Sequence, residues 1–276
     1  MTHAPVAAFV WRSEHVVAVD KPSGMLTIPG RRGASDPRPC LVHAVAAALP
    51  GKIWIVHRLD REASGLVLFA RSAEAHRVLC RAFETRSIRK TYEAWTEGVP
   101  PDPSDEPLVW ESSLVRGRRR VFESASGKPS RTIARPVGPV PWRDEDLLRW
   151  ELRPETGRPH QIRCHAASRG WPIAGDALYG SRIDFGRDRI ALRAVALDLS
   201  GLAPDDRSRL GIPVELEVAS GAAEWAGPQP GGPDPRAGNP VTTRLARHRG
   251  PGVRFPARSH ADSIRRGIPR RGDPTR

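Results

Sequence analysis

Between about residues 16 and 218, apolar positions fall into short runs separated by turn residues. Gly65–Ala70 (GLVLFA) is continuously apolar and too short for a helix. It predicts a strand buried on both faces. Directly afterwards the period changes. Ala75, Val78, Leu79, Ala82 and Phe83 recur at i, i+3, i+4, i+7 and i+8, the spacing of one helical face. Ser72 is placed to cap that helix. Val16–Val19 predicts a short strand running into a Lys21-Pro22-Ser23-Gly24 turn, with another strand at Met25–Ile28. Segments at Ile53–Val56, Lys90–Glu97, Val109–Val115, Thr132–Arg135, Leu147–Leu152, Ile190–Leu197 and Val214–Val218 predict further strands. Pro159 suits the first turn of a helix running to about Ser168. Many strands, few helices and no regular βαβ alternation predict an α+β fold around a mostly antiparallel sheet flanked by helices and loops.

The pattern stops near Gly227. From there the chain reads GPQPGGPDPRAGNP and then turns Arg-rich, almost without apolar runs. Such a segment buries too little surface to offset its ordering entropy. The expected division is a folded domain over 1–226 and a Pro/Gly/Arg-rich, disordered basic tail over 227–276.

Charge sharpens this division. The 276 residues carry a formal net charge of +13. Eleven Arg and three Asp fall within residues 231–276, so that segment holds +8 of the total. The rest is mildly basic. A polyanion partner is the first implication, with the tail either an RNA-attracting arm or a passive extension. No apolar run reaches the roughly 18 residues of a membrane span, so no membrane partner is expected. The N-terminus lacks a secretory pattern. Cys40, Cys80 and Cys164 are scattered and odd in number, which argues against a disulfide framework or a CxxC zinc site. The expected compartment is the cytoplasm.

Three segments carry candidate chemistry. In His57-Arg58-Leu59-Asp60-Arg61-Glu62-Ala63-Ser64-Gly65 a carboxylate has an arginine two residues before it and another directly after. Arginine is charged at any working pH and would orient the carboxylate. An ionised, positioned carboxylate can act as nucleophile or general base. Composition alone also allows a surface loop of solvated charges. In Thr156-Gly157-Arg158-Pro159-His160-Gln161-Ile162-Arg163, basic residues cluster at a predicted helix start, where an anion is favoured. A helix start that simply faces water stays open. His160 and His165 are five apart and do not share a face as zinc ligands would, so no metal is expected. In Arg89-Lys90-Thr91-Tyr92, one of only two tyrosines sits beside basic residues. It could stack on an exposed base, or serve as core.

Taken in this order, these segments resemble the RluA family of pseudouridine synthases. His57–Gly65 is similar to H-R-L-D-x-x-T-S-G at every fixed position but one. Asp20-Lys21-Pro22-Ser23-Gly24-Met25 resembles D-K-P-x-G-h, and Lys90-Thr91-Tyr92 resembles K-x-Y. Gly127–Thr132 resembles G-K-x-A-x-T, Thr156–Arg163 resembles T-G-R-x-H-Q-h-R, and Pro172–Gly180 resembles P-I-x-G-D-x-x-Y-G. The likeness spans about residues 15–220. It implies the pseudouridine synthase fold, with a catalytic domain over 1–226, and isomerisation of a uridine in ribosomal or transfer RNA. It implies Asp60 as the catalytic carboxylate, Arg58 holding the target nucleotide out of its stack, Tyr92 stacking on the uracil, and Arg163 paired with Asp60. His57, Arg61, Arg158, His160 and Gln161 are expected to bind substrate. Extruding a base costs a few kcal/mol, which stacking and phosphate contacts offset. No redox step or group transfer occurs, so no cofactor is expected. The expected partner is structured RNA, bound by a monomer.

Two positions depart from the family pattern. Ala63 stands where the family has Thr, and Arg193 where it usually has His. The family often carries an N-terminal S4 domain, and only about fifteen residues precede the first expected strand here, so none is expected. One alternative is an RNA-binding protein on the same fold, impaired in catalysis. A glycoside hydrolase would need a second carboxylate, for which Glu62 is the nearby candidate.

Overall fold

The computed structural model describes residues 8–30, 33, 36–98, 106–143, 145–221 and 225. The expected tail, 227–276, lies outside the described residues. The strands are β1 (Ala8–Arg12), β2 (Val16–Lys21), β3 (Trp54–Ile55), β4 (Ser64–Ala70), β5 (Arg89–Thr96), β6 (Leu108–Arg116), β7 (Val121–Glu123), β8 (Lys128–Trp142), β9 (Glu145–Pro154), β10 (Leu192–Asp198) and β11 (Glu215–Glu217). The helices are α1 (Leu41–Ala48), α2 (Ala73–Glu84), α3 (Gln161–Ser168) and α4 (Pro204–Leu210).

The strands form one sheet in the order β1-β2-β4-β10-β5-β9-β8-β6-β7, with β3 on β4 and β11 on β10. The β4–β10 pair is parallel, and the other strand pairs among the described residues are antiparallel. This is the α+β sheet that the pattern predicts.

β4 is buried at every position. The sheet explains why. Val67 and Phe69 face one hydrophobic cluster with Val17 and Val19 of β2, while Leu66, Leu68 and Ala70 face another with Val16 and Ala18. Alternate side chains point to opposite faces, so a strand covered on both sides reads as one apolar run. α2 covers the second face with Ala75, Leu79 and Ala82, and the Ser72 hydroxyl accepts from Ala75 N at its start, as predicted. α1 covers the first face with Leu41, Val42 and Val45.

Several expectations need correction. Met25–Ile28 is not a strand. It makes a single bridge, Leu26 to Cys40, and Thr27 turns its side chain to the 57–63 loop. α3 begins at Gln161, two residues after Pro159, with His160 at its N-cap in the left-handed region (φ 48°). β8 is far longer than Thr132–Arg135. Prolines hide its length. Pro136, Pro139 and Pro141 fall where β8 pairs with β9 only, because β6 ends its pairing at Ala134. A proline without an N–H is tolerated on such a one-sided stretch. The apolar pattern does not predict β1. Its run Ala8–Trp11 is apolar yet mostly exposed, with Val10 alone packed against the core, so it shows neither an in/out alternation nor a buried face. No described helix is long and apolar enough to cross a membrane.

Candidate active site

The 57–63 loop enters β4 and is fixed along its backbone. Thr27 Oγ1 donates to Leu59 O (2.9 Å) and accepts from Leu59 N (3.1 Å). Buried Lys21 donates from Nζ to Arg61 O (3.2 Å) and Met25 O (2.9 Å). Gly24 N donates to the same Arg61 carbonyl (2.8 Å), and Ile190 N to Glu62 O (3.2 Å). Gly24 has φ 82°, a conformation that suits glycine. The Asp20–Met25 segment therefore acts as a buckle for the loop that carries Asp60. These charge-assisted and backbone bonds fix a side chain better than a free surface loop would.

A cavity of about 210 Å³ opens against this loop. Leu59, Ala63, Tyr92, Ile162 and Leu192 give it an apolar floor. Asp60, Arg58, Lys90, Arg116, Arg158 and Arg163 bring charge to it, and His160 adds an imidazole. The structure thus gathers seven of the nine expected site residues in one cavity: Asp60, Arg58, Tyr92, Arg163, Arg158, His160 and Gln161.

Arg163 is the electrostatic centre. It projects from the first turn of α3 and is almost wholly buried. Its Nε and Nη2 donate to Asp176 Oδ2 and Oδ1 at 2.6 and 2.8 Å, a two-pronged pair. Its Nη1 reaches Asp60 Oδ2 at 3.3 Å and Glu62 Oε2 at 3.4 Å. Burial by itself favours the neutral guanidine. The bonds and charge of Asp176, with Asp60 and Glu62 adding, win and raise the Arg163 pKa. The expected Arg163–Asp60 pair is therefore present, and the firmer anchor is Asp176. Sequence reasoning assigns Asp176 no role, although it is the acidic position of the P-I-x-G-D segment.

Tyr92 lies under the cavity on β5, nearly buried. Burial, with the Asp60 charge adding, pushes its phenol above the usual range, so the ring stays neutral. Lys90, two residues earlier and on the same face of the strand, also lines the cavity. A Cβ at Gly157 would stand 3.8 Å from Lys90 Nζ, which places the amine beside the 156–158 turn. Burial lowers its pKa. His160 Nε2 stands 3.9 Å from Asp60 Oδ1, and Nδ1 is 3.2 Å from the Tyr179 hydroxyl. Burial lowers the His160 pKa, and the opposing pull of Asp60 is smaller. Gln161 lines the cavity but is spent as a brace. Its Oε1 accepts from Thr156 Oγ1 and Arg158 N, and its Nε2 donates to Arg131 O and Thr132 Oγ1. With its donors and its acceptor occupied, it holds the 156–161 turn rather than offering bonds to a substrate.

Two expected substrate residues point elsewhere. His57 Nε2 accepts from Leu68 N at 2.8 Å, and its ring lies 4.5 Å from Phe83. It extends the edge of β4 beyond β3. Burial first, and the Lys90 charge second, depress its pKa to about 3. Arg61 turns to Asp188 (2.7 Å) and Glu62 (3.3 Å), outside the cavity lining. The resemblance implies both as substrate residues, but their side chains leave the loop away from the cavity.

The two departures have places in the packing. Ala63 is buried at the cavity floor. Arg193 is buried on β10, where it pairs with Asp20 (2.6 Å), donates to Ser64 Oγ (3.3 Å) and reaches Ala219 O (2.9 Å). It ties the Asp20 segment to the start of β4. Among the described residues no cluster of three His, Cys, Asp or Glu could hold a metal ion.

The sequence profile of RNA pseudouridylate synthases matches residues 15–168, more than half of the chain. An uncharacterised RNA pseudouridine synthase of Zymomonas mobilis is 38% identical over 67% of this chain and 83% of that protein. The ribosomal large subunit pseudouridine synthase D of Zymomonas mobilis is 34% identical over 62% of this chain and 55% of that protein. The dual-specificity RNA pseudouridine synthase RluA of Escherichia coli is 32% identical over 64% of this chain and 78% of that protein. A solved structure, human RNA Pseudouridylate Synthase Domain Containing 1, shares the fold, with a TM-score of 0.60 over 71% of this chain and 80% of that one at 23% identity. The chain belongs to the RNA pseudouridylate synthase family, as an RluA-type isomerase acting on RNA.

Proposed function

We propose that this protein converts a specific uridine of a structured RNA, ribosomal or transfer RNA, to pseudouridine, with Asp60 as the catalytic carboxylate. The observation that carries this reading is the position of Asp60: partly exposed in the cavity, with Arg163 Nη1 at 3.3 Å from Oδ2 and Tyr92 below. The reaction breaks the C1′–N1 bond of uridine, turns the base and rejoins it through C5. A base must leave its stack to reach Asp60. Tyr92 offers an aromatic surface for it, and exposed Arg58 at the cavity wall is placed to hold the nucleotide outside the stack. Arg158 supplies charge for the backbone phosphate. Arg163, locked by Asp176, orients Asp60.

The protein is proposed to act in the cytoplasm as a monomer, where its three cysteines, all free, stay reduced. The basic segment 227–276 is proposed to lie outside the catalytic domain.

Pseudouridine mapping in host RNA tests the assignment. Cells lacking the gene should lose one or a few pseudouridines. Wild-type protein should restore them, and Asp60→Ala should not, while the purified variant still binds RNA. Restoration by Asp60→Ala would move the protein to the RNA-binding reading.

A further inference from the structure

The Asp60 cavity does not end at Arg158. A second cleft of about 330 Å³ adjoins it and shares Arg116, Arg158 and Pro159 in its walls. It lies beneath the hairpin of β6 and β7. Its floor is apolar, from Leu114 and Val121. Its rim is cationic, from Arg116, Lys128 and Arg158.

The register explains this composition. Lys128 pairs directly with Leu114 across β8 and β6. Arg116 follows Leu114 by two residues, so all three side chains leave the same face of the sheet. Gly117 N bonds Arg120 O at 2.9 Å and closes a tight turn, which carries exposed Arg118, Arg119 and Arg120 at the tip. Arg116, Arg118, Arg119 and Lys128 meet no carboxylate within ion-pair distance among the described residues. Elsewhere on the surface arginines do find acidic partners, as Arg131 does with Glu111 and Arg209 with Glu74. An unpaired cationic rim over an apolar floor matches a nucleotide: a flat base for the floor and a phosphate for the rim. An acidic peptide would use the rim but not the floor.

We propose that this cleft holds the nucleotide next to the target uridine, with its bridging phosphate between Arg116, Lys128 and Arg158 and the hairpin tip on the backbone beyond. The proposal rests on the RNA-isomerase reading and adds to it a subsite for a flanking nucleotide. A base bound there would be sensed for size and shape, which gives the enzyme a means of choosing sequence around its target.

The test uses the full chain and a 20-nucleotide RNA stem-loop with uridines in the loop. Affinity is measured against salt for wild type, for Arg116→Ala/Lys128→Ala, and for Arg77→Ala/Arg81→Ala on the exposed face of α2. The first pair should weaken binding and reduce the log–log salt slope by roughly 0.7 to 0.9, the change expected when one bridging phosphate is no longer neutralised. The α2 pair removes the same charge and should leave the slope as in wild type. With 4-thiouridine beside the target position, photo-crosslinks should map to residues 114–128. Equal slopes for both pairs, or crosslinks confined elsewhere, overturn the subsite while leaving the isomerase reading intact. A wild-type protein that binds no such RNA at any salt overturns both.

Discussion

Arg163 divides its hydrogen bonds unequally, and the division tells which carboxylate is structural. Asp176 takes two short bonds and is itself almost wholly buried, whereas Asp60 takes one longer bond and keeps a face in the cavity. Removing a partner from a buried pair leaves an uncompensated charge. Asp176→Ala is therefore expected to cost about 3–5 kcal/mol in urea unfolding, and to lower pseudouridine formation as Asp60 loses its orientation. Stability within about 0.5 kcal/mol of wild type would show that Asp176 is not the anchor. His57 gives a second residue-scale prediction. Its pKa falls from the ordinary 6.5 to about 3 in the fold. The neutral ring is thus the native form. Its contribution is fully present above pH 6.5 and is lost as pH drops from there toward 3. Nitrogen-detected NMR should find Nε2 unprotonated and bonded at about pH 5, between those two values. A titration midpoint near 6.5 would contradict the contact with Leu68 N.

At the scale of elements, the parallel junction of β4 and β10 sets the cavity wall. Gly65 pairs with Ala194 there at φ 108°, and a Cβ would stand 2.2 Å from Ala194 O. No L side chain fits without moving a strand. Gly65→Ala should destabilise the fold by more than about 1 kcal/mol in urea titration, and an unchanged midpoint would mean that the strands separate freely. Elements with one dominant period are legible in the sequence. The uniform apolar run of β4 and the i, i+3, i+4 face of α2 each follow from local burial. β1, a short apolar run left mostly exposed, is not legible. β8 reads too short because its prolines look like strand breakers until the one-sided pairing with β9 is known. Of the cavity lining, Asp60, Tyr92 and Arg163 are legible where the resemblance marks them. What the motifs do not carry is direction. Only the folded backbone turns His57 and Arg61 out of the cavity, spends the amide of Gln161 on the 156–161 turn, and brings Arg116 in from β6.

For the whole molecule, aromatic packing secures the last described residue. Trp225 is 1% exposed and meets Trp95 at 4.8 Å and Phe185 at 5.8 Å, both edge-on. Residues beyond it carry most of the excess charge. Truncation after residue 226 should leave a folded, active protein, whereas Trp225→Ala should cost about 3–5 kcal/mol. Thermal unfolding and activity on the same preparations decide this. Loss of soluble protein in the truncated form would place essential packing beyond 226.

The reaction itself is tested most directly by single-turnover conversion of uridine in host RNA by Asp60→Asn, a change that keeps the size of the side chain. The expected result is a rate lower by at least on the order of 10³-fold, the scale of losing a reacting group, with RNA affinity close to that of wild type. A rate within a few fold of wild type would contradict the placement of the chemistry on Asp60.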